Sequence, residues 1–135
     1  MKILLDTHVI IWALTNDARL SEKAKALITA PENIICISTA SLWEIAIKNQ
    51  KAPEKCPYHE QEILHYCIQA GFEPLSILPG HILGIRTLKE KDGHYLSNYD
   101  PFDRLIIAQA KVENARVLSH DSNFNHYDED CIIAI

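Results

Sequence analysis

The chain has 135 residues, 47% of them hydrophobic and 23% charged, a size and composition expected of a single domain spanning residues 1–135. Its formal net charge of −5 argues against a protein that holds nucleic acid by bulk electrostatics, but leaves room for an acidic site bridged to phosphate by cations. No apolar run is long enough to span a membrane, and the apolar start at residues 3–5 is broken by Asp6, so a soluble, cytoplasmic protein without a signal peptide is expected.

In chain order, residues 2–5 read as a short apolar strand. Asp6 and Thr7 then offer caps for a helix carrying Val9, Ile10, Trp12, Ala13 and Leu14. Thr15-Asn16-Asp17 breaks that helix. A second begins at Ser21 and runs to about Ala30, where Pro31 stops it. Residues 34–37 form a second buried strand, Ser38 and Thr39 cap a third helix over 40–50, and residues 53–57 make a loop. A fourth helix over 59–70 ends at Gly71, a third strand covers 73–77, and Pro79 opens a helix to about Lys89. Residues 90–99 form a polar loop containing Gly93. Asp100 is a good N-cap, with Pro101 at the first position of an apolar helix that reaches about Asn114 and hands over to a strand at 116–118. Residues 122–130 look irregular and 131–135 read as the last strand. Short apolar strands alternating with helices indicate βαβ units, hence an α/β fold with a mostly parallel sheet covered on both faces.

The four cysteines, Cys36, Cys56, Cys67 and Cys131, form no Cys-x-x-Cys pair, and Cys36 and Cys131 read as buried reduced thiols. A zinc site from Cys56, His59, His65 and Cys67 lacks a recognised spacing; they read as ordinary helix residues.

Four acids carry the interest. Asp6 ends the first strand, Glu44 lies inside Leu42-Trp43-Glu44-Ile45-Ala46-Ile47, Asp103 is in the first turn of the most apolar helix, and Asp121 follows the next strand. In open α/β sheets ligands collect outside the carboxyl ends of the strands. Converging there, these carboxylates would repel one another when ionised and would need divalent cations; oxygen-only ligation suits Mg²⁺ or Mn²⁺. Each acid also has an ordinary reading. Asp6 is an N-cap, Asp103 a helpful first-turn charge reciprocating Asp100 in a capping box, Glu44 an exposed partner of Lys48 on a polar stripe with Ser41 and Lys51, and Asp121 the cap of a turn.

The motifs Leu4-Leu5-Asp6-Thr7-His8, Ser38-Thr39-Ala40-Ser41-Leu42-Trp43-Glu44-Ile45-Ala46-Ile47-Lys48, Asp100-Pro101-Phe102-Asp103-Arg104 and Leu118-Ser119-His120-Asp121-Ser122-Asn123-Phe124 span nearly the whole chain. In this order they resemble the PIN-domain family, specifically its VapC-type toxin ribonucleases. The resemblance implies a three-layer α/β/α fold with a central, mostly parallel sheet. It implies Mg²⁺- or Mn²⁺-dependent cleavage of RNA by a carboxylate-held, metal-activated water, a cognate antitoxin and a homodimer. The family's acidic positions fall on Asp6, Glu44, Asp103 and Asp121, and its small hydroxyl positions on Thr7 and Ser119. The chain departs from the pattern at Ser119, where threonine is commoner, and at Asn98, where related sequences carry histidine; the loop 92–99 looks long, and His94 reads as a solvated loop residue rather than a substitute.

Lys48, Arg86, Lys89, Lys91 and Arg104 are candidate phosphate contacts, and Trp12 and Trp43 candidate anchors for the antitoxin. Two alternatives remain: a catalytically inactive PIN-fold binding module, and a receiver-like signalling domain. The second needs an acidic phosphoacceptor ending the middle strand, whereas the third strand ends in Ser76-Ile77, and it needs a lysine after the last strand, where none follows.

Overall fold

A computed structural model describes residues 1–91 and 100–135. The expectations placed on Asp92 to Tyr99, including Gly93, His94 and Asn98, lie outside the described residues. Five strands, β1 (Lys2–Leu5), β2 (Ile34–Ser38), β3 (Glu73–Leu75), β4 (Arg116–Ser119) and β5 (Ile132–Ala134), form one sheet in the order β3-β2-β1-β4-β5. Every pairing is parallel. The helices are α1 (Thr7–Thr15), α2 (Glu22–Thr29), α3 (Thr39–Lys51), α4 (Glu60–Gln69), α5 (Pro79–Gly84) and α6 (Pro101–Val112), with 3₁₀ turns at Ile85–Thr87 and Ser122–His126.

The strand pleat divides the core. Ile3, Leu5, Ile35 and Ile37 point to one face, against Val9, Ile10 and Trp12 of α1, Ala24 of α2, Ile45 of α3 and Ile63 of α4. Leu4, Cys36 and Val117 point to the other, against Ile106, Ile107 and Ala110 of α6 and the ring of Phe124. Burial on both faces explains why these strands are continuously apolar rather than alternating. The result is the expected three-layer α/β/α architecture with an all-parallel sheet.

Several boundaries differ from expectation for local reasons. β3 stops at Leu75, at the sheet edge, where Pro74 has no N–H to give a ladder. α5 stops at Gly84, and Thr87 closes the following 3₁₀ turn by donating its hydroxyl to the Gly84 carbonyl at 2.7 Å. Asn16 and Asn114 take left-handed backbone angles, φ 51° and 52°, which end α1 and α6. The strand order also removes the receiver-like alternative, whose sheet runs 2-1-3-4-5 with the third strand in the middle.

The chain winds outward from β1 in both directions, through β2 to β3 and through β4 to β5, so the order reverses between β1 and β4. Such a reversal opens a crevice at the carboxyl ends of the two central strands. Asp6 leaves β1 there, and its N–H donates to the Leu118 carbonyl of β4 at 3.0 Å.

Candidate active site

Asp6 is the N-cap of α1 and only 4% exposed. One carboxylate oxygen, Oδ1, accepts the Thr7 N–H at 2.7 Å, and Oδ2 accepts the Ser119 hydroxyl at 2.9 Å. Ser119, fully buried at the end of β4, also accepts the Asp121 N–H at 3.0 Å. A single hydroxyl therefore ties together the residues that follow both central strands.

The next residue makes the second link. Thr7 Oγ1 lies 2.7 Å from Glu44 Oε1 and 2.9 Å from Ser41 Oγ. A hydroxyl has one proton, and an ionised carboxylate only accepts, so Thr7 donates to Glu44 and Ser41 donates to Thr7. Glu44 is carried into the crevice by α3, which Ser38 starts by accepting the Ala40 N–H at 3.0 Å. Its other oxygen pairs with Lys48 Nζ at 2.8 Å. The i,i+4 pair expected from the sequence thus forms, but the polar stripe is not solvated on this side: Glu44 is 6% exposed and Ser41 fully buried.

Asp103 enters from α6, whose N-cap Asp100 accepts the N–H groups of Phe102 at 2.8 Å and Asp103 at 3.2 Å. Among the described residues no donor bonds the Asp103 carboxyl, so the reciprocal half of the expected capping box is missing. Burial, reinforced by the negative charges of Asp6, Asp100, Asp121 and Glu44, pushes this carboxyl up to about 8. Burial also raises Asp6, with Ser119, Thr7 and His8 opposing and Glu44 adding to the rise. Asp121, half-buried, caps the 3₁₀ turn by accepting the Asn123 N–H at 2.9 Å.

All four sequence-selected acids thus lie in one electrostatic neighbourhood, with the Thr7 and Ser119 hydroxyls bonding the carboxylates of Glu44 and Asp6. Sequence reasoning missed two members: Ser41, whose place on a polar stripe suggested exposure, and Asp100, read only as a cap. Among the described residues no three Asp, Glu, His or Cys side chains are already gathered around a common point as ligands. The donor set nevertheless fits a hard divalent cation. It offers oxygen atoms only, and the buried Asp103 carboxyl has acidic neighbours and, among the described residues, no hydrogen-bond donor to balance it.

The candidate phosphate contacts are dispersed. Lys48 stands at the site, and Arg104 follows Asp103 with its Nε buried. Arg86, Lys89 and Lys91 are exposed, and the Lys91 N–H donates to the His126 carbonyl at 3.0 Å. Trp12 is buried in the core, with the Arg19 guanidinium 4.9 Å over its ring. Trp43 is 59% exposed beside Phe102, ring centres 5.1 Å apart. Cys67 is a core residue whose thiol burial pushes up to about 11.

The family profile of the PIN domain matches residues 3–130. Among solved structures the chain is similar to a chain of VapBC2 from Rickettsia felis bound to a promoter DNA fragment, at 19% identity and TM-score 0.69, covering 99% of this chain and 98% of that one. A chain of DNA-bound VapBC from Salmonella typhimurium gives 21% identity and TM-score 0.66 over 99% and 98%. A chain of VapBC-1 from nontypeable Haemophilus influenzae gives 16% and 0.62 over 93% and 92%. No curated protein matches the sequence.

Proposed function

The chain belongs to the PIN-domain family, and from that premise we propose that it is a VapC-type toxin, an Mg²⁺- or Mn²⁺-dependent endoribonuclease held in check by a cognate antitoxin. The observation that carries this reading is Asp103. A carboxyl that is 9% exposed, has no donor among the described residues and feels the charge of four other acids is costly in a plain scaffold, and is what a cation-binding site requires before it is filled.

Asp6, Glu44 and Asp103 would hold the main ion, directly or through water, with Asp121 supporting it or a second ion. The bound cation supplies activation of water and neutralisation of charge developing on the phosphodiester. The chain's own residues fix the geometry. Ser119 and the Thr7 N–H hold the Asp6 carboxylate at both oxygens, and each oxygen retains a lone pair that a cation could use. Thr7 fixes Oε1 of Glu44, and Lys48 screens Oε2. Such orienting bonds restrict carboxylate rotation and are worth one to two orders of magnitude in comparable sites, ~10–100-fold. No histidine is assigned as a general base.

The antitoxin partner is supported by the VapBC complexes in which the similar chains occur, matched over nearly their whole length. Trp43 and Phe102, paired at the rim, are suitable apolar anchors for it; Trp12, buried, is withdrawn from that role. Homodimerisation and a cytoplasmic location complete the reading; no helix among the described residues is long and apolar enough to cross a membrane.

The test is direct. Protein freed of antitoxin should cut RNA in Mg²⁺ or Mn²⁺ and stop in EDTA. Undiminished cleavage in chelator refutes the mechanism.

A further inference from the structure

One cavity lies beside the four acids rather than over them. It is a groove of about 610 Å³, reached from the site at Thr7 and Lys48 and running between α1 and the C-terminal part of α3 to Tyr58. Its floor is apolar, with Ile11, Trp12 and Ile45. Its rim carries Arg19, Lys48, Lys51 and Lys55 against the single carboxylate of Asp17. Four of the chain's 13 Lys and Arg side chains therefore line one groove of a protein whose net charge is −5.

These cations differ in how they are held. Lys48 is engaged by Glu44. Arg19 is fixed by a fork to both oxygens of Asp17, at 3.0 and 2.8 Å, and lies over Trp12, so it is positioned before any ligand arrives. Lys51 and Lys55 are exposed, and neither is in an ion pair among the described residues. The helical rise of about 1.5 Å per residue sets Lys51 roughly 10 Å along α3 from Glu44. That is on the order of three phosphates of a stacked strand, which carries one charge per ~3.4 Å.

We propose that this groove is the track of the single-stranded RNA substrate on one side of the cut, with Lys51, Lys55 and Arg19 binding successive phosphates and the partly exposed Tyr58 ring taking a ribose or base. This rests on the ribonuclease reading above. The acid cluster alone repels a polyanion, so substrate held there by metal ions alone would bind weakly; the groove supplies the missing attraction within a few nucleotides of the site. It also explains how an acidic protein engages RNA without a basic surface overall.

The experiment uses a 5′-labelled single-stranded RNA oligonucleotide and anisotropy in EDTA across a salt series, in the Asp103→Asn background, with cleavage followed separately on gels. Lys51→Ala/Lys55→Ala should flatten the slope of log affinity against log salt by about 1.4, since each phosphate neutralised on a single strand contributes about 0.7. It should weaken binding at least tenfold at low salt. Lys51→Arg/Lys55→Arg keeps both charges and should behave as the parent, which separates the removal of charge from misfolding. In otherwise native protein with Mg²⁺, the alanine pair should raise KM for RNA while hydrolysis of a small chromogenic phosphodiester is unchanged. An unchanged slope and affinity overturns the groove, as does absence of RNA binding by the background protein. Equally, loss of antitoxin affinity with RNA affinity intact makes the groove a protein-docking surface and overturns it. Failure of the ribonuclease reading shows differently, as a native protein that cuts no RNA or an Asp103→Asn variant that cuts as well as the native one.

Discussion

Replacing Asp103 by asparagine should stabilise the metal-free protein at neutral pH, against the ordinary rule that an acid in the first turn helps a helix. Burial, then the charges of Asp6, Asp100, Asp121 and Glu44, lift its carboxyl from 3.8 to about 8 in the folded chain. The unfolded chain releases that proton near pH 4, whereas the folded chain keeps it to about 8. Between those values the unfolded state binds fewer protons, so stability falls as pH rises through the window and levels off above it. At about 1.4 kcal/mol per pKa unit the ceiling at pH 7 is roughly 4 kcal/mol, which relaxation and water entry reduce to about 2–3 kcal/mol. Asparagine has no charge to bury and loses only the first-turn benefit of about 0.3–1 kcal/mol. The net gain is about 1–2 kcal/mol, or ~3–8 °C in Tm for a chain of this size.

Thermal or urea midpoints of parent, Asp103→Asn and Asp6→Asn, in EDTA at pH 5 and pH 8 and again with Mg²⁺, give the answer. Asp6→Asn keeps a competent N-cap, so capping loss does not imitate the site effect. The parent should lose stability from pH 5 to pH 8 in EDTA and Asp103→Asn should lose less. Mg²⁺ at tenfold its Kd should stabilise the parent by about 1.4 kcal/mol and each variant by less. Both variants being clearly destabilised in EDTA, yet gaining as much from Mg²⁺ as the parent, would refute a shared site.

Two further substitutions address the residues that hold the cluster. Glu44→Gln should lower RNA cleavage by at least ~10²-fold, with Lys48→Ala far milder, since glutamine keeps the Thr7 hydrogen bond but removes a ligand charge; equal small losses in initial rate would return Glu44 to a helix ion pair. Ser119→Ala should cost ~10–100-fold in activity and weaken apparent Mg²⁺ affinity, because Asp6 and the Asp121 backbone lose a common anchor; a stability change with metal titration and rate unmoved would leave Ser119 a packing residue.

The layer architecture was legible because burial on both faces of a parallel sheet writes itself as continuous apolar runs, as at Ile3, Leu4 and Leu5, which alternate between the two cores. What the sequence could not show was strand order. Asp6 and Asp121 are 115 positions apart and become neighbours only because β4 pairs with β1, so the crevice exists in the fold and not in any spacing. Buried polar links were equally hidden. Ser38 donates to Gln109 across 71 positions, and His81, fully buried, meets Glu113 at 3.2 Å and accepts the Leu78 N–H at 3.0 Å; no periodicity announces such pairs.

The ordinary and the functional readings of the acids are not rivals in most cases. Asp6 does cap α1, Asp121 does cap a turn, and Glu44 does pair with Lys48. These local bonds are the means by which a carboxylate is held at the end of an element and aimed into the crevice. The local account therefore explains why each acid is tolerated, and says nothing against their common use. Asp103 differs because, among the described residues, the capping-box bond is missing and no donor bonds its buried carboxyl, while Asp6, Asp100, Asp121 and Glu44 add negative charge around it. Such a carboxyl keeps its proton to about pH 8 in the folded chain, and ionises at lower pH only where a cation offsets the neighbouring charges. Asp103 is therefore the residue on which the shared-site proposal is best tested.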